Sequence, residues 1–275
     1  MPHFLWLLAL LLLACGPSSN TSPQQAALAT TDTMPIDTPA TPDPAPFDTV
    51  AVKYLLGQFY FEKDSHFVRI DDRYSAGSAR GGYLHRETHA AFARMWEAAQ
   101  ADGVELTIRS ATRNFWYQQQ IWEGKWTGAR RVGGQDLSQA IPDPVARARK
   151  ILRYSSMPGT SRHHWGTDLD INAFENRYFA SGRGLQEYQW LQAHAAEYGF
   201  CQVYSEKGPE RPHGYEEEKW HWSYLPLAHR YLRSYNAQIT PEMITGFQGA
   251  ETAEALDVIA HYVNGISPAC TEDFE

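Results

Sequence analysis

The stretch Ser161-Arg162-His163-His164-Trp165-Gly166-Thr167-Asp168-Leu169-Asp170-Ile171-Asn172 decides the architecture. From Asp168 to Asn172 polar and apolar residues alternate, which is the pattern of a half-buried strand. Successive side chains of a strand point to opposite faces. Leu169 and Ile171 therefore face a core, and Asp168, Asp170 and Asn172 face the other way. A loop bearing His163 and His164 leads into this row of oxygen donors. Imidazole nitrogen and carboxylate oxygen are both zinc ligands. A neighbouring pair of histidines also has a plainer reading, as surface or hydrogen-bonded side chains.

A second stretch, Glu216-Glu217-Glu218-Lys219-Trp220-His221-Trp222-Ser223-Tyr224, carries aromatics at strand spacing. The strand expected over Lys219 to Tyr224 turns His221 away from both tryptophans, so the ring is held between two buried neighbours. Glu218 lies three residues earlier, and positions three apart in a regular strand face opposite sides. Glu218 reaches the side of His221 only if the chain bends before Trp220. On this segment alone, a solvated acidic run beside a satisfied core histidine fits equally well. Taken together, the two stretches offer two histidines, one aspartate and a glutamate that need not bind. Three protein ligands leave a coordination position open for water, as catalytic zinc requires.

Around these stretches the periodicities predict a helix over Glu87–Ala101, where Phe92, Met95, Trp96 and Ala99 form one stripe, and a strand over Val104–Arg109. Further helices are expected from about Asn114 to Lys125, Leu185 to Tyr198 and Ala250 to Val263, the last closed by Asn264-Gly265. Helices and strands mix without strict alternation. That predicts an α+β fold, a single mixed domain with a small antiparallel sheet flanked by helices, and not a doubly wound parallel sheet.

Ser161, His163, Gly166 and Asp170 form Ser-x-His-x-x-Gly-x-x-x-Asp, and Glu218, Trp220 and His221 form Glu-x-Trp-His. This pair of motifs resembles the peptidoglycan carboxypeptidases and dipeptidases of the VanY/VanX type. The resemblance runs from about Tyr54 to Tyr231 and implies a hedgehog/DD-peptidase-like fold. It further implies one Zn2+ held by His163, Asp170 and His221, with Glu218 as general base. His164, Asp168 and His213 fall off the ligand positions and are left as neighbours. The family also carries a Ser-Gly-Tyr-Arg-like turn with a glutamine five residues on, matched here by Ser110-Ala111-Thr112-Arg113 and Gln118. Arg113 then serves catalysis and, with Gln118 and Ser161, substrate binding. A guanidinium suits a terminal carboxylate or an oxyanion. Ala111-Thr112 departs from Gly-Tyr at the pocket wall. Tyr54–Gln58 and Ser155–Thr160 resemble a lipoprotein-borne subgroup.

The expected activity is hydrolysis of the C-terminal amide of peptidoglycan stem peptides, releasing D-alanine from D-Ala-D-Ala ends. An L,D-carboxypeptidase, a peptidoglycan endopeptidase of the same fold, and a non-catalytic cell-wall-binding lipoprotein remain alternatives.

Phe4 to Ala14 is an unbroken apolar run, too short to span a bilayer, which needs about 20 residues. It fits a signal peptide, and Leu12-Leu13-Ala14-Cys15 resembles a lipobox with Cys15 as the lipidation site. No Lys or Arg precedes the run, so an ordinary cleaved signal with an incidental cysteine stays open. Residues 16–47 are rich in Ser, Thr, Pro and Ala and read as a disordered linker. The expected division is signal peptide 1–15, linker 16–47, zinc peptidase domain 48–235 and a C-terminal helical extension 236–275. Export would place Cys201 and Cys270 under oxidising conditions, as a disulfide or as two free thiols. The net charge of −8 argues against nucleic acid as a partner. The partners expected are peptidoglycan stem peptides and, through the lipid anchor, a membrane. The protein is expected as a monomer exported to the cell envelope.

Overall fold

A computed structural model describes residues 49–271. The expected signal peptide with Cys15 and the expected linker lie outside them. Helix α1 (Val52–Leu55) precedes an antiparallel ribbon of β1 (Phe67–Arg69) and β2 (Tyr83–His85), neither of which the sequence pattern announced. Helix α2 (Arg86–Ala101) follows directly, then β3 (Ile108–Ser110) and α3 (Phe115–Trp126). Helices α4 (Leu137–Ala140) and α5 (Pro144–Ile151) lead to β4 (Asp168–Ile171). Next come α6 (Gly182–His194), β5 (Phe200–Gln202), β6 (His221–Tyr224) and α7 (Leu225–Gln238). The main sheet has the order β3-β4-β6-β5 with every neighbouring pair antiparallel. The fold is α+β, as the mixed element order predicts.

Local chemistry sets these boundaries. Asn114 caps α3 by accepting from the Tyr117 amide at 2.9 Å. Asp143 caps α5 by accepting from the Ala146 amide at 2.7 Å, and Pro144 fills the first helical position. Leu169 and Ile171 are fully buried with Phe92, Met95, Leu191, Trp220 and Trp222 in one core. Burial of each aliphatic side chain stabilises the fold by about 1.5–3 kcal/mol.

Three expectations shift. The strand predicted over Val104–Arg109 pairs only from Ile108, because Asn172 leaves the sheet at φ 64°. Its side-chain oxygen takes the Thr107 amide at 2.6 Å and its NH2 donates to the Glu105 carbonyl at 2.9 Å, in place of a ladder. The helix predicted over Ala250–Val263 is two short pieces, a 3-10 turn at Ala250–Thr252 and a π turn at Ile259–Val263. Asp257 between them sits at φ 45°, a left-handed conformation that no α-helix continues through. Finally, α7 runs through the 235/236 boundary. Ile244, Phe247, Leu256 and Ile266 share a core with Trp122, Trp126 and Ile151, so the C-terminal stretch is built into the described unit. A disulfide joins Cys201 to Cys270 with Cα atoms 5.7 Å apart. No described helix is long and apolar enough to cross a membrane.

Candidate metal centre

The centre begins with strand register. Asp170 on β4 lies opposite His221 on β6 and Ser110 on β3. A 3-10 turn over Arg162–Trp165 brings in His163 just before β4. Gly166 ends that turn at φ 70°, and a Cβ there would meet Phe67 Cε1 at 2.4 Å. Only glycine adopts this conformation so close to a neighbour without strain, which explains its place in the motif.

Ligand atoms of His163, Asp170 and His221 lie within 4.8 Å of one another, and all three side chains are buried. His163 Nε2 is 3.5 Å from Asp170 Oδ2, and His221 Nδ1 is 3.4 Å from Asp170 Oδ1. Hydrogen bonds on the far side of each ring define the tautomers. His163 Nδ1 lies 2.9 Å from the Ala111 carbonyl, which can only accept, so Nδ1 carries the proton and Nε2 keeps its lone pair. His221 Nε2 lies 2.8 Å from Asp168 Oδ2, so the neutral form of this ring has its lone pair on Nδ1. Both lone pairs thus face Asp170. His163 Nε2 and Asp170 Oδ1 are buried without a hydrogen-bond partner among the described residues. Buried polar atoms are rarely left so, and a cation between them accounts for both.

Charge points the same way. Asp168, Asp170 and Glu218 all lie against His221, and among the described residues Arg162 is the one Lys or Arg in a salt bridge with them. Burial alone would push the Asp168 carboxyl up, yet the Arg162 charge and the His221 hydrogen bond hold it well below the usual range. Thr167 and Ser223 hydroxyls also donate to it, each at 2.6 Å. Burial lowers His221, but Asp168 and Glu218 outweigh it and push the ring up to about 9. An excess of buried carboxylate is costly unless a cation compensates it. Two imidazoles, one carboxylate and a carboxylate-held second nitrogen fit a metal of the zinc type.

Glu218 is placed by a turn. The His221 amide donates to the Glu218 carbonyl at 3.2 Å, and Lys219 and Trp220 form the bend. The regular strand expected from Lys219 therefore starts at His221. Glu218 Oε2 comes to 3.3 Å from His221 Nδ1, and burial raises its pKa above the ordinary carboxylate value.

The centre opens to a cleft of about 290 Å³ lined by Ser110, Arg113, Tyr117, Tyr154, Phe174 and Trp220. A smaller hollow beside it is lined by Arg113, Gln118, Ser155, Ser161, Tyr215 and Glu218. Arg113 Nε, Gln118 Oε1 and Ser161 Oγ are buried without partners among the described residues, while Gln118 Nε2 donates to the Ser156 carbonyl at 2.8 Å. The sequence reading named these three residues, and the structure gathers them on one wall. No motif singled out Lys125 for the site; its Nζ donates to Ser155 Oγ. An ammonium has no lone pair, so the Ser155 hydroxyl is free to donate elsewhere. Burial pulls Lys125 down to about 8, helped by Arg130 and Arg113. Nothing in a helix sequence marks such a lysine. Asp168 did carry a signal, since it shares a strand face with Asp170.

The neighbours set aside earlier have structural partners. His164 Nδ1 meets the Arg113 carbonyl at 2.6 Å and its Nε2 accepts from the Gly159 amide at 3.0 Å. His213 stacks on His261, ring centroids 4.0 Å apart, and lines a separate cavity.

This chain is 29% identical over 133 residues to a D-alanyl-D-alanine carboxypeptidase of Enterococcus faecalis (strain ATCC 700802 / V583), covering 48% of this chain and 45% of that one. It is 29% identical over 148 residues to the putative carboxypeptidase YodJ of Bacillus subtilis (strain 168), covering 52% and 46%. The chain thus spans about half the length of the curated relatives it matches. Among solved structures it overlays the LdcB LD-carboxypeptidase with TM-score 0.46 and 22% identity, covering 72% of this chain and 80% of that one. A mutant of the VanB-type D,D-pentapeptidase VanY in complex with Zn(II) gives TM-score 0.44 and 22% identity, covering 70% and 92%. The family model described as VanY, D-alanyl-D-alanine carboxypeptidase, matches residues 81–227, and the chain belongs to that family.

Proposed function

We propose that this protein is a zinc-dependent carboxypeptidase that hydrolyses the C-terminal amide of peptidoglycan stem peptides and releases D-alanine from D-Ala-D-Ala ends. The observation that carries the reading is the convergence of His163 Nε2, Asp170 and His221 Nδ1, with Glu218 Oε2 beside them. A zinc ion held by those three side chains would polarise a carbonyl and bring the pKa of a water down to about 7. Glu218 takes a proton on its carboxylate and passes it to the leaving amine. Burial raises its pKa, which strengthens it as the acceptor of that proton. Asp168 holds His221 in the ligating tautomer. Arg113 receives the terminal carboxylate of the substrate or the oxygen that gains charge, and Ser161 and Gln118 line the same hollow. Family membership supports a peptidase acting on such ends.

The proposal extends to the termini as the sequence reads them. A signal peptide ending at Cys15 exports the protein, and lipid on that cysteine anchors it at the envelope, where the substrate is polymer. Residues 16–47 then act as a tether.

Mass spectrometry of products from defined penta- and tetrapeptide muropeptides, with and without chelator, tests the reading. Loss of one D-alanine from the pentapeptide, abolished by chelator and restored by zinc, is expected. Loss of a residue from the tetrapeptide alone would replace it with the L,D activity, and intact substrates would remove it.

A further inference from the structure

A cavity of about 690 Å³ lies apart from the metal centre, between α5 and the C-terminal stretch. Arg149, Lys150, Arg153 and Lys207 line it, against two carboxylates, Glu216 and Asp257. Glu216 serves two of the cations, Arg153 Nε at 3.3 Å and Lys207 Nζ at 3.5 Å. Arg149 and Lys150 enter no salt bridge among the described residues. A chain with net charge −8 thus collects an excess of positive charge in one concave place. Concavity and unspent cations together favour an anion over bulk solvent.

The cavity shares a wall with the catalytic cleft. Arg153 lines the cavity while Tyr154 lines the cleft, and the Arg153 guanidinium lies 5.6 Å from the Tyr154 ring centroid. The Glu216 amide donates to the Arg153 carbonyl at 2.9 Å, stitching the two segments together. Glu216 is two residues from Glu218, a span of at most about 7 Å. That span equals about two residues of an extended peptide, which advances about 3.3 Å per residue. The opposite wall, with Leu256 and His261, lies beyond residues 81–227, so the cavity is formed with a part of the chain outside the family match.

We propose that this cavity is an anion subsite that holds a free carboxylate of the substrate upstream of the scissile amide, with Arg149 and Lys150 supplying the charge. The proposal rests on the carboxypeptidase reading and adds a substrate class, stem peptides that keep an acidic residue unamidated.

Two pentapeptides ending in D-Ala-D-Ala, one with glutamate at the second position and its glutamine twin, test it. Each is titrated calorimetrically into full-chain Glu218→Gln protein, with and without Arg149→Gln/Lys150→Gln. The glutamate peptide is expected to bind about tenfold tighter than its twin, as one charge-assisted contact supplies. The preference should vanish in the added double variant and shrink at high salt. Equal binding of the twins, or a preference that survives the double variant, overturns the proposal. Inorganic phosphate binding more tightly than the glutamate peptide, and only with Arg149 and Lys150 present, also overturns it by assigning the cavity to a phosphate-bearing polymer. Wild-type protein that releases D-alanine from neither peptide, with the binding preference intact, removes the carboxypeptidase reading and leaves the anion subsite standing.

Discussion

Asp168 Oδ2 lies 2.8 Å from His221 Nε2 and 3.0 Å from Arg162 Nε, so one buried carboxylate both orients the His221 ring and neutralises a buried guanidinium. Asp168→Asn removes the charge that holds His221 in its ligating tautomer. Zinc affinity is expected to fall by about 10–100-fold, measured by competition with a chromogenic chelator. Asp168→Ala should in addition lower the urea midpoint, since a buried Arg162 left unpaired costs about 3–5 kcal/mol. Unchanged metal affinity in Asp168→Asn would remove the aiming role.

Glu218 and His221 touch, yet their variants should separate. Glu218→Gln keeps the carboxamide in place and is expected to retain about one zinc per chain while turnover falls by about 10²–10⁴-fold. His221→Ala should lose the metal as well. Metal content by plasma emission spectroscopy, beside D-alanine release, distinguishes the two. Near-normal turnover in Glu218→Gln would sink the general-base assignment.

Arg113 and Lys125 face one hollow, the first directly and the second through Ser155. Arg113→Ala is expected to raise KM for a peptide with a free terminal carboxylate about tenfold or more, and to matter little for the corresponding terminal amide. Lys125→Met should reduce the same acid-over-amide preference, with Ser155→Ala adding little on top of it. Independent, multiplicative effects would show that Lys125 does not act through Ser155.

Gly166 stands 2.4 Å from Phe67 for any added Cβ, at φ 70°. Gly166→Ala is expected to destabilise the fold by about 2–4 kcal/mol, from left-handed strain and overpacking together. Denaturant titration measures it, and a loss below about 0.5 kcal/mol would mean that the turn relaxes freely.

His85 caps α2 through Nδ1, which accepts from the Glu87 amide at 3.4 Å, and burial holds the ring down at about 4. The unfolded chain takes up that proton near the ordinary value of about 6.5. Stability from this group is therefore complete above about pH 6.5 and is lost as pH falls from there toward 4. Urea midpoints of metal-free protein at pH 7.5 and 5.0 should differ more for wild type than for His85→Asn, whose amide can cap without titrating. Equal differences would relieve His85 of the effect.

Local sequence determined much of this protein. The alternation Asp168–Ile171, the stripe of α2, the cap at Asn114 and the mixed element order all come from interactions within a few residues. So does the need for a bend between Glu218 and His221, because side chains three apart on a strand cannot share a face. The tertiary structure decided what depends on partners distant in sequence. Asn172 delays the start of β3 by binding Glu105 and Thr107 across 65 or more residues. Asp257 breaks the apparent last helix, whose apolar stripe is then buried piecewise against α3 and α5. Which nitrogen each histidine turns toward Asp170 follows from its contact with the Ala111 carbonyl or the Asp168 carboxylate, pairings that spacing does not record. Lys125 and the cationic cavity beside α5 exist only because separate segments close over them. Periodicity records which face of an element is buried, and the neighbour that buries it is chosen by the whole chain.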